Sequence, residues 1–115
     1  MRGGIVLAVL LWFGLTIAFT ASAANPGEPA AIATLRADQA RTAAQLEAEA
    51  RRLRIASKDP AFRAWAMLAE AEFANDQEHA EAALSGIDQA IAQADALKLP
   101  DLRFEALIRL STILV

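Results

Sequence analysis

The chain has 115 residues, with 14 acidic and 11 basic side chains, one histidine and no cysteine. This length suits one small domain, and the net negative charge argues against nucleic acid, whose binding needs a basic face. Without cysteine, no disulfide bond stabilises the fold. Alanine is the commonest residue and tyrosine is absent, a composition that favours helices and predicts an all-α domain.

The first 23 residues have the layout of a secretory signal peptide. A short cationic start is followed by an almost unbroken apolar run over residues 5–19 and by small residues at 21–23. We therefore expect cleavage between Ala23 and Ala24 and a periplasmic or secreted product. The alternative is a retained membrane anchor, but the apolar run is shorter than the roughly 20 residues that a spanning helix needs.

A linker and a long first helix are predicted next. Residues 24–29 contain two prolines and a glycine, which prevent regular structure. The first helix is predicted over residues 30–57, and its thin apolar stripe predicts an N-terminal part that sits loosely or pairs with another chain. Arg51, Arg52 and Arg54 lie near the end of this helix, where cations oppose the negative end of the helix dipole.

Proline-marked breaks divide the rest of the chain into three further helices. Asp59 suits an N-cap and Pro60 suits the first helical position, so a second helix is predicted over residues 60–74. A third helix is predicted over residues 77–98, where apolar residues recur at helical spacing. A fourth helix is predicted to begin near Asp101 and to continue to the last residue of the sequence.

The last predicted helix is apolar on all sides rather than along one stripe. A helix that is apolar all round is normally buried on all sides, and no further segment of the sequence is left to cover it. We expect either that another chain buries this surface or, as we favour, that the sequence is the front part of a longer protein. The apolar residues are Phe104, Leu107, Ile108, Leu110, Ile113, Leu114 and Val115.

Two segments resemble one another at a spacing of 40 residues. Residues 60–74 and 100–114 both begin with proline, and Arg63 of the first segment corresponds to Arg103 of the second. One repeating unit is then a helix, a tight turn, a second helix and a proline-marked break. Because a single helix pair cannot bury both of its faces, repeated pairs are predicted to stack into a solenoid.

The third and fourth predicted helices resemble a tetratricopeptide repeat, a family in which small residues lie where paired helices cross. Ala83 and Ala90 match two of these positions, Ser111 matches the small position of the next first helix, and Pro100 stands near a unit boundary. Behind a signal peptide, such units are similar to the extracytoplasmic sensor regions of bacterial diguanylate cyclases. The resemblance implies antiparallel helix hairpins stacked as a short solenoid of about four helices, with residues 30–115 as an incomplete helical-repeat domain.

No residue pattern in the sequence indicates catalysis. His79 is the only histidine, and its spacing from Asp76 matches one carboxylate–histidine pair, whereas metal sites in helical bundles need a second pair. The serines beyond the signal segment have no base nearby in sequence, and no glycine-rich phosphate loop exists. We therefore expect a protein that is not an enzyme, that has no cofactor and no metal site, and that touches a membrane only through an uncleaved signal segment.

The expected function is the binding of a protein or peptide in a groove of stacked helices, as in the input region of a signalling protein that lacks its catalytic part. Arg63 and Arg103, on the second and fourth predicted helices, either grip carboxylates of the ligand or only solubilise the groove rim. Trp65 is a further candidate contact, although its spacing also suits core packing. The alternative function is a secreted structural protein that dimerises through its first and fourth helices.

Overall fold

The computed structural model describes residues 27–114, and all regular secondary structure in this part of the chain is helical, without strands. The predicted all-α class is therefore confirmed for these residues. The predicted signal peptide, its cleavage site and the start of the linker lie outside the described residues. The helices are α1 Ala30–Ala37, α2 Ala43–Ala56, α3 Pro60–Asp76, α4 Ala80–Leu97 and α5 Pro100–Leu114.

The first predicted helix is wrong as a single element, because residues 38–42 divide it into α1 and α2. The Asp38 side chain accepts a hydrogen bond from the backbone N–H of Ala40 at 2.9 Å, just beyond the end of α1. Thr42 then starts α2 with a capping box, in which Thr42 and Gln45 each accept a hydrogen bond from the backbone N–H of the other. The described residues therefore contain five helices where about four were predicted.

The break before α3 is confirmed. Asp59 is the N-cap, its carboxylate accepts a hydrogen bond from the backbone N–H of Ala61 at 3.0 Å, and Pro60 is the first helical residue. Asp59 therefore satisfies one of the N–H groups that the start of a helix leaves without a partner in the helix.

The turn between α3 and α4 lies later in the chain than predicted. Residues 77–79 form it, and Glu78 has a φ of 65°, in the left-handed region that ends a helix. α4 ends in the same way at Lys98, whose φ is 57°. Both ends are made by non-glycine residues, so composition did not reveal where the helices stop.

α3 is the central helix, because each of the other four helices packs against it. It is buried on nearly all sides, whereas the sequence predicted full cover for the last helix. Most of its buried residues are alanines, which let neighbouring helices approach closely. The buried residues are Ala64, Trp65, Ala66, Leu68, Ala69, Ala71, Phe73 and Ala74.

α3 and α4 approach each other closely at Gly86. A β-carbon built on Gly86 would lie 3.0 Å from the β-carbon of Ala71 and 3.9 Å from the carbonyl oxygen of Met67. The two small residues face each other at the crossing of the helices. Ala83 and Ala90, which carry the tetratricopeptide resemblance, are also fully buried on α4.

Candidate functional site

The two arginines predicted to bind a ligand lie at equivalent positions, each as the fourth residue of its helix. Both residues are exposed. The Arg103 guanidinium donates a hydrogen bond to Asp95 of α4 at 3.0 Å, whereas Arg63 forms no ion pair within residues 27–114. The Arg103 pair with Asp95 is solvent-exposed, and the binding role of the two arginines stays a prediction.

Trp65, the third predicted contact residue, lies in the core. Its side chain is only 3 % exposed and belongs to the same cluster as Leu68 and Phe73. A partner cannot reach the ring while α3 is in place. We therefore assign Trp65 a packing role and leave it out of the candidate site.

One face of α5 presents large apolar side chains to solvent. Phe104 and Leu114 are 65 % and 66 % exposed, and Leu107 and Ile108 are 38 % and 36 % exposed. These residues and Ser111 follow helical spacing along one side of α5, opposite the buried Leu102 and Ala106. We call this surface the α5 face; it consists of Phe104, Leu107, Ile108, Ser111 and Leu114.

The residues 40 positions before those of the α5 face occupy the equivalent positions of the repeat, and they show how such a surface is packed. They lie on α3, and all except Met67 are buried, Ala71 among them at the crossing with Gly86 of α4. In α3 this face is thus covered by a neighbouring helix, whereas in α5 no described helix covers it. The α3 residues are Ala64, Met67, Leu68, Ala71 and Ala74.

A second feature is a partly buried network of charges that joins α1, α3 and α5. We call it the Arg36 cluster; its members are Glu28, Arg36, Glu72, Glu105 and Arg109, whose side chains are between 1 % and 26 % exposed. The Arg36 guanidinium lies 2.8 Å from a carboxylate oxygen of Glu28, 3.0 Å from Glu72 and 3.8 Å from Glu105. Arg109 lies 3.1 Å from Glu72 and 3.2 Å from Glu105.

Arg36 donates a hydrogen bond to Glu28 at 2.8 Å, and the other pairs of this cluster are held by charge rather than by directional hydrogen bonds. Burial disfavours the charged form of Arg36, but the nearby carboxylates of Glu72, Glu28 and Glu105 outweigh it and raise the pKa of Arg36. Buried polar atoms of Arg36, Glu72, Glu105 and Arg109 have no hydrogen-bond partner although they lie at ion-pair distance. Sequence reasoning missed the cluster because its members are distant in the chain and form no motif.

The three arginines at the end of α2 are engaged in side-chain pairs. Arg54 donates two hydrogen bonds to Glu70 of α3, which raise the pKa of Arg54, and Arg51 lies 3.5 Å from the same carboxylate. Arg52 hydrogen-bonds Glu49 and lowers the pKa of that carboxyl. The basic cluster thus joins α2 to α3 as well as opposing the helix dipole.

A groove of about 300 Å³ lies between α2, α3 and α4. Its floor contains Ala71 and Gly86, and its charged rim includes the paired Arg54 and Glu70. The Gln89 amide donates to the Ser85 hydroxyl at 3.3 Å along the α4 side. These polar side chains are hydrogen-bonded to one another, so few of them remain free to bind a ligand.

Asp76 and His79, whose spacing matches a carboxylate–histidine pair, do not lie on one helix. Asp76 is the last residue of α3, and His79 is the N-cap of α4 on the other side of the turn. Within residues 27–114, no three histidine, aspartate or glutamate side chains come close enough together to hold a metal ion. None of the described helices combines the length and the apolar character that crossing a bilayer requires.

Two surface features therefore distinguish the part of the chain that the structure describes. The α5 face is apolar and uncovered, and the Arg36 cluster is charged and partly buried. No protein family, curated protein or solved structure matches this chain.

Proposed function

We propose that this chain is an exported, non-catalytic helical-repeat module that binds another protein through the α5 face. The exposure of four large apolar side chains along one side of α5 carries the proposal. Exposed apolar patches on soluble domains mark interaction sites, because water contact with contiguous apolar surface is unfavourable. From the tetratricopeptide resemblance alone, we further propose that this binding is the sensory input of a signalling protein.

The order of helix contacts supports a stacked repeat. Consecutive helices pack side by side along the chain, and α3 also contacts α1 and α5, the helices two places before and after it. This is the pattern of hairpins stacked in series, in which each unit touches only its neighbours. α3 and α5 are then the first helices of successive units, and α2 and α4 are the second helices.

The repeat also indicates what kind of partner fits. On α3 the equivalent face lies against α4, whose buried side carries Ala83, Ile87, Ala90 and Ala94 next to Gly86. We therefore expect the partner to present a helix with a stripe of small residues. Phe104 stands where α3 has Ala64, so the partner helix must leave room for an aromatic ring.

A photo-crosslinking amino acid at position 104 tests this function in the producing cell. We expect a discrete crosslinked product from position 104 and none from position 92, an exposed site on α4 that serves as the matched control. Leu107→Glu should remove the product, because a carboxylate on the apolar face is costly to bury. Arg63→Ala with Arg103→Ala should leave it in place.

The mass of the crosslinked product separates the two functions. A product with a different protein supports the binding module, whereas a product of twice the chain mass supports the structural dimer, to which the same exposed face is suited. The absence of a product from position 104 contradicts both. Loss of the product only in the double arginine variant would show that the partner contacts the groove rim rather than the α5 face.

Export is a separate prediction that rests on the N-terminal residues. We expect N-terminal sequencing of the protein from the producing organism to begin at Ala24, because small residues precede that position. Recovery of the protein with an intact N-terminus from the membrane fraction would instead support the retained anchor.

A further inference from the structure

α1 depends on the rest of the fold for its existence. It has eight residues and no side-chain hydrogen bond at its N-cap, and isolated helices shorter than about 12 residues are marginal in water. Only Ile32 and Leu35 of this helix are buried. Its stability therefore comes from the surface on which it lies.

That surface is built from three other helices. α1 packs against α2 and α3, and Arg36 reaches Glu72 of α3 and Glu105 of α5. At the start of the same segment, a β-carbon built on Gly27 would lie 3.3 Å from the Asp101 carboxylate. Residues 27–37 thus lie across α3 and α5.

The charges beneath α1 require a cation. Without Glu28 and Arg36, the site would hold two carboxylates, Glu72 and Glu105, and one guanidinium, Arg109. With α1 in place these side chains are at most about a quarter exposed, so water screens their charges poorly while a helix covers them. Arg36 offsets the excess negative charge locally, but Glu28 lies 2.8 Å from Arg36 and returns one negative charge to the cluster. An arginine that brings no carboxylate with it would neutralise the site.

We propose that α1 is a displaceable internal ligand and that the site beneath it, which we call the α1 site, binds a helix of a partner protein. The partner helix has the chemistry of Ile32, Leu35 and Arg36: two apolar side chains three residues apart, followed directly by an arginine. The ion pairs of Arg36 with Glu72 and Glu105 lack directional hydrogen bonds, so a guanidinium with better geometry competes with it. This inference does not depend on the α5 face.

A labelled synthetic peptide with the sequence of residues 27–41 serves as the probe, added to the full chain and followed by fluorescence anisotropy. We expect the Arg36→Ala chain to bind it about tenfold more tightly than the wild-type chain, because a weakened internal helix leaves the site open more often. Arg103→Ala, which removes an exposed arginine paired with Asp95, should leave peptide affinity at the wild-type value.

Two further arms identify the contacts. The tenfold gain in affinity should disappear when the peptide carries alanine at position 36. It should also disappear when the Arg36→Ala chain carries Glu72→Gln and Glu105→Gln as well. If only the peptide with alanine at position 36 loses the higher affinity, the peptide arginine does not act on Glu72 and Glu105. This result would overturn the assignment of the site.

Equal peptide affinity of the wild-type and Arg36→Ala chains would overturn the proposal, because α1 would then not compete for its site. Unfolding of the Arg36→Ala chain, seen by far-UV circular dichroism, would overturn it as well, since a displaceable helix is not required for the fold. Hydrogen exchange of the wild-type chain gives an independent check: the amides of α1 should exchange well before those of α3. Exchange of both helices in one cooperative event would contradict the proposal.

Discussion

Replacing Trp65 by alanine is expected to lower the free energy of unfolding by about 3–5 kcal/mol, the usual cost of removing a buried large aromatic side chain. Trp65 lies on the central helix and is only 3 % exposed. Its removal leaves a cavity that the α3 alanines cannot fill without movement of the neighbouring helices. Urea denaturation followed by far-UV circular dichroism measures the change.

Phe104→Ala is the matched control, because it removes an exposed aromatic side chain from the equivalent region of the next repeat unit. We expect its free energy of unfolding to stay within about 0.5 kcal/mol of wild type, while association through the α5 face weakens. A Trp65→Ala protein as stable as Phe104→Ala would show that the Trp65 ring is not in the core and would restore it as a candidate contact.

Gly86→Leu is expected to destabilise the chain by about 1–2 kcal/mol. Even one added carbon would lie 3.0 Å from the β-carbon of Ala71, and overpacking of this kind costs about 1–3 kcal/mol. Leucine recovers up to about 1 kcal/mol relative to glycine because it is the better helix former. The same urea denaturation measures the net effect.

Ala92→Leu places the same side chain on an exposed position of the same helix, and we expect a change of less than about 0.5 kcal/mol. A comparable loss in both variants would point to a general effect of leucine on α4 rather than to the crossing. A stabilised Gly86→Leu protein would mean that α3 and α4 are not in close contact at Ala71.

The helices themselves were largely predictable, because their signals are local. Asp59 and Pro60 predict the start of α3, because the Asp59 carboxylate can cap the helix and proline has a fixed φ. The structure confirms Asp59 as the N-cap and Pro60 as the first helical residue. The division between α1 and α2 was also readable, since Thr42 and Gln45 have the spacing of a capping box. That signal was missed because the alanine-rich sequence around it is compatible with one continuous helix.

The candidate sites were predictable only in part. The apolar character of α5 is visible in the sequence, and the structure shows that one side of it is exposed at Phe104 and Leu114. The burial of Trp65 was suggested by spacing but not decided by it. The Arg36 cluster had no sequence signal, since Arg36, Glu72 and Glu105 come from three helices far apart in the chain.

By itself, the sequence determined the helical class, the proline-marked breaks and an apolar last helix, because propensity, capping and periodicity act over a few residues. Only the tertiary structure decided that α3 is the helix buried on nearly all sides, that one side of α5 stays open, and that α1 lies over a charged site. Packing brings together residues that are distant in the chain, and local patterns carry no information about which of their faces meet.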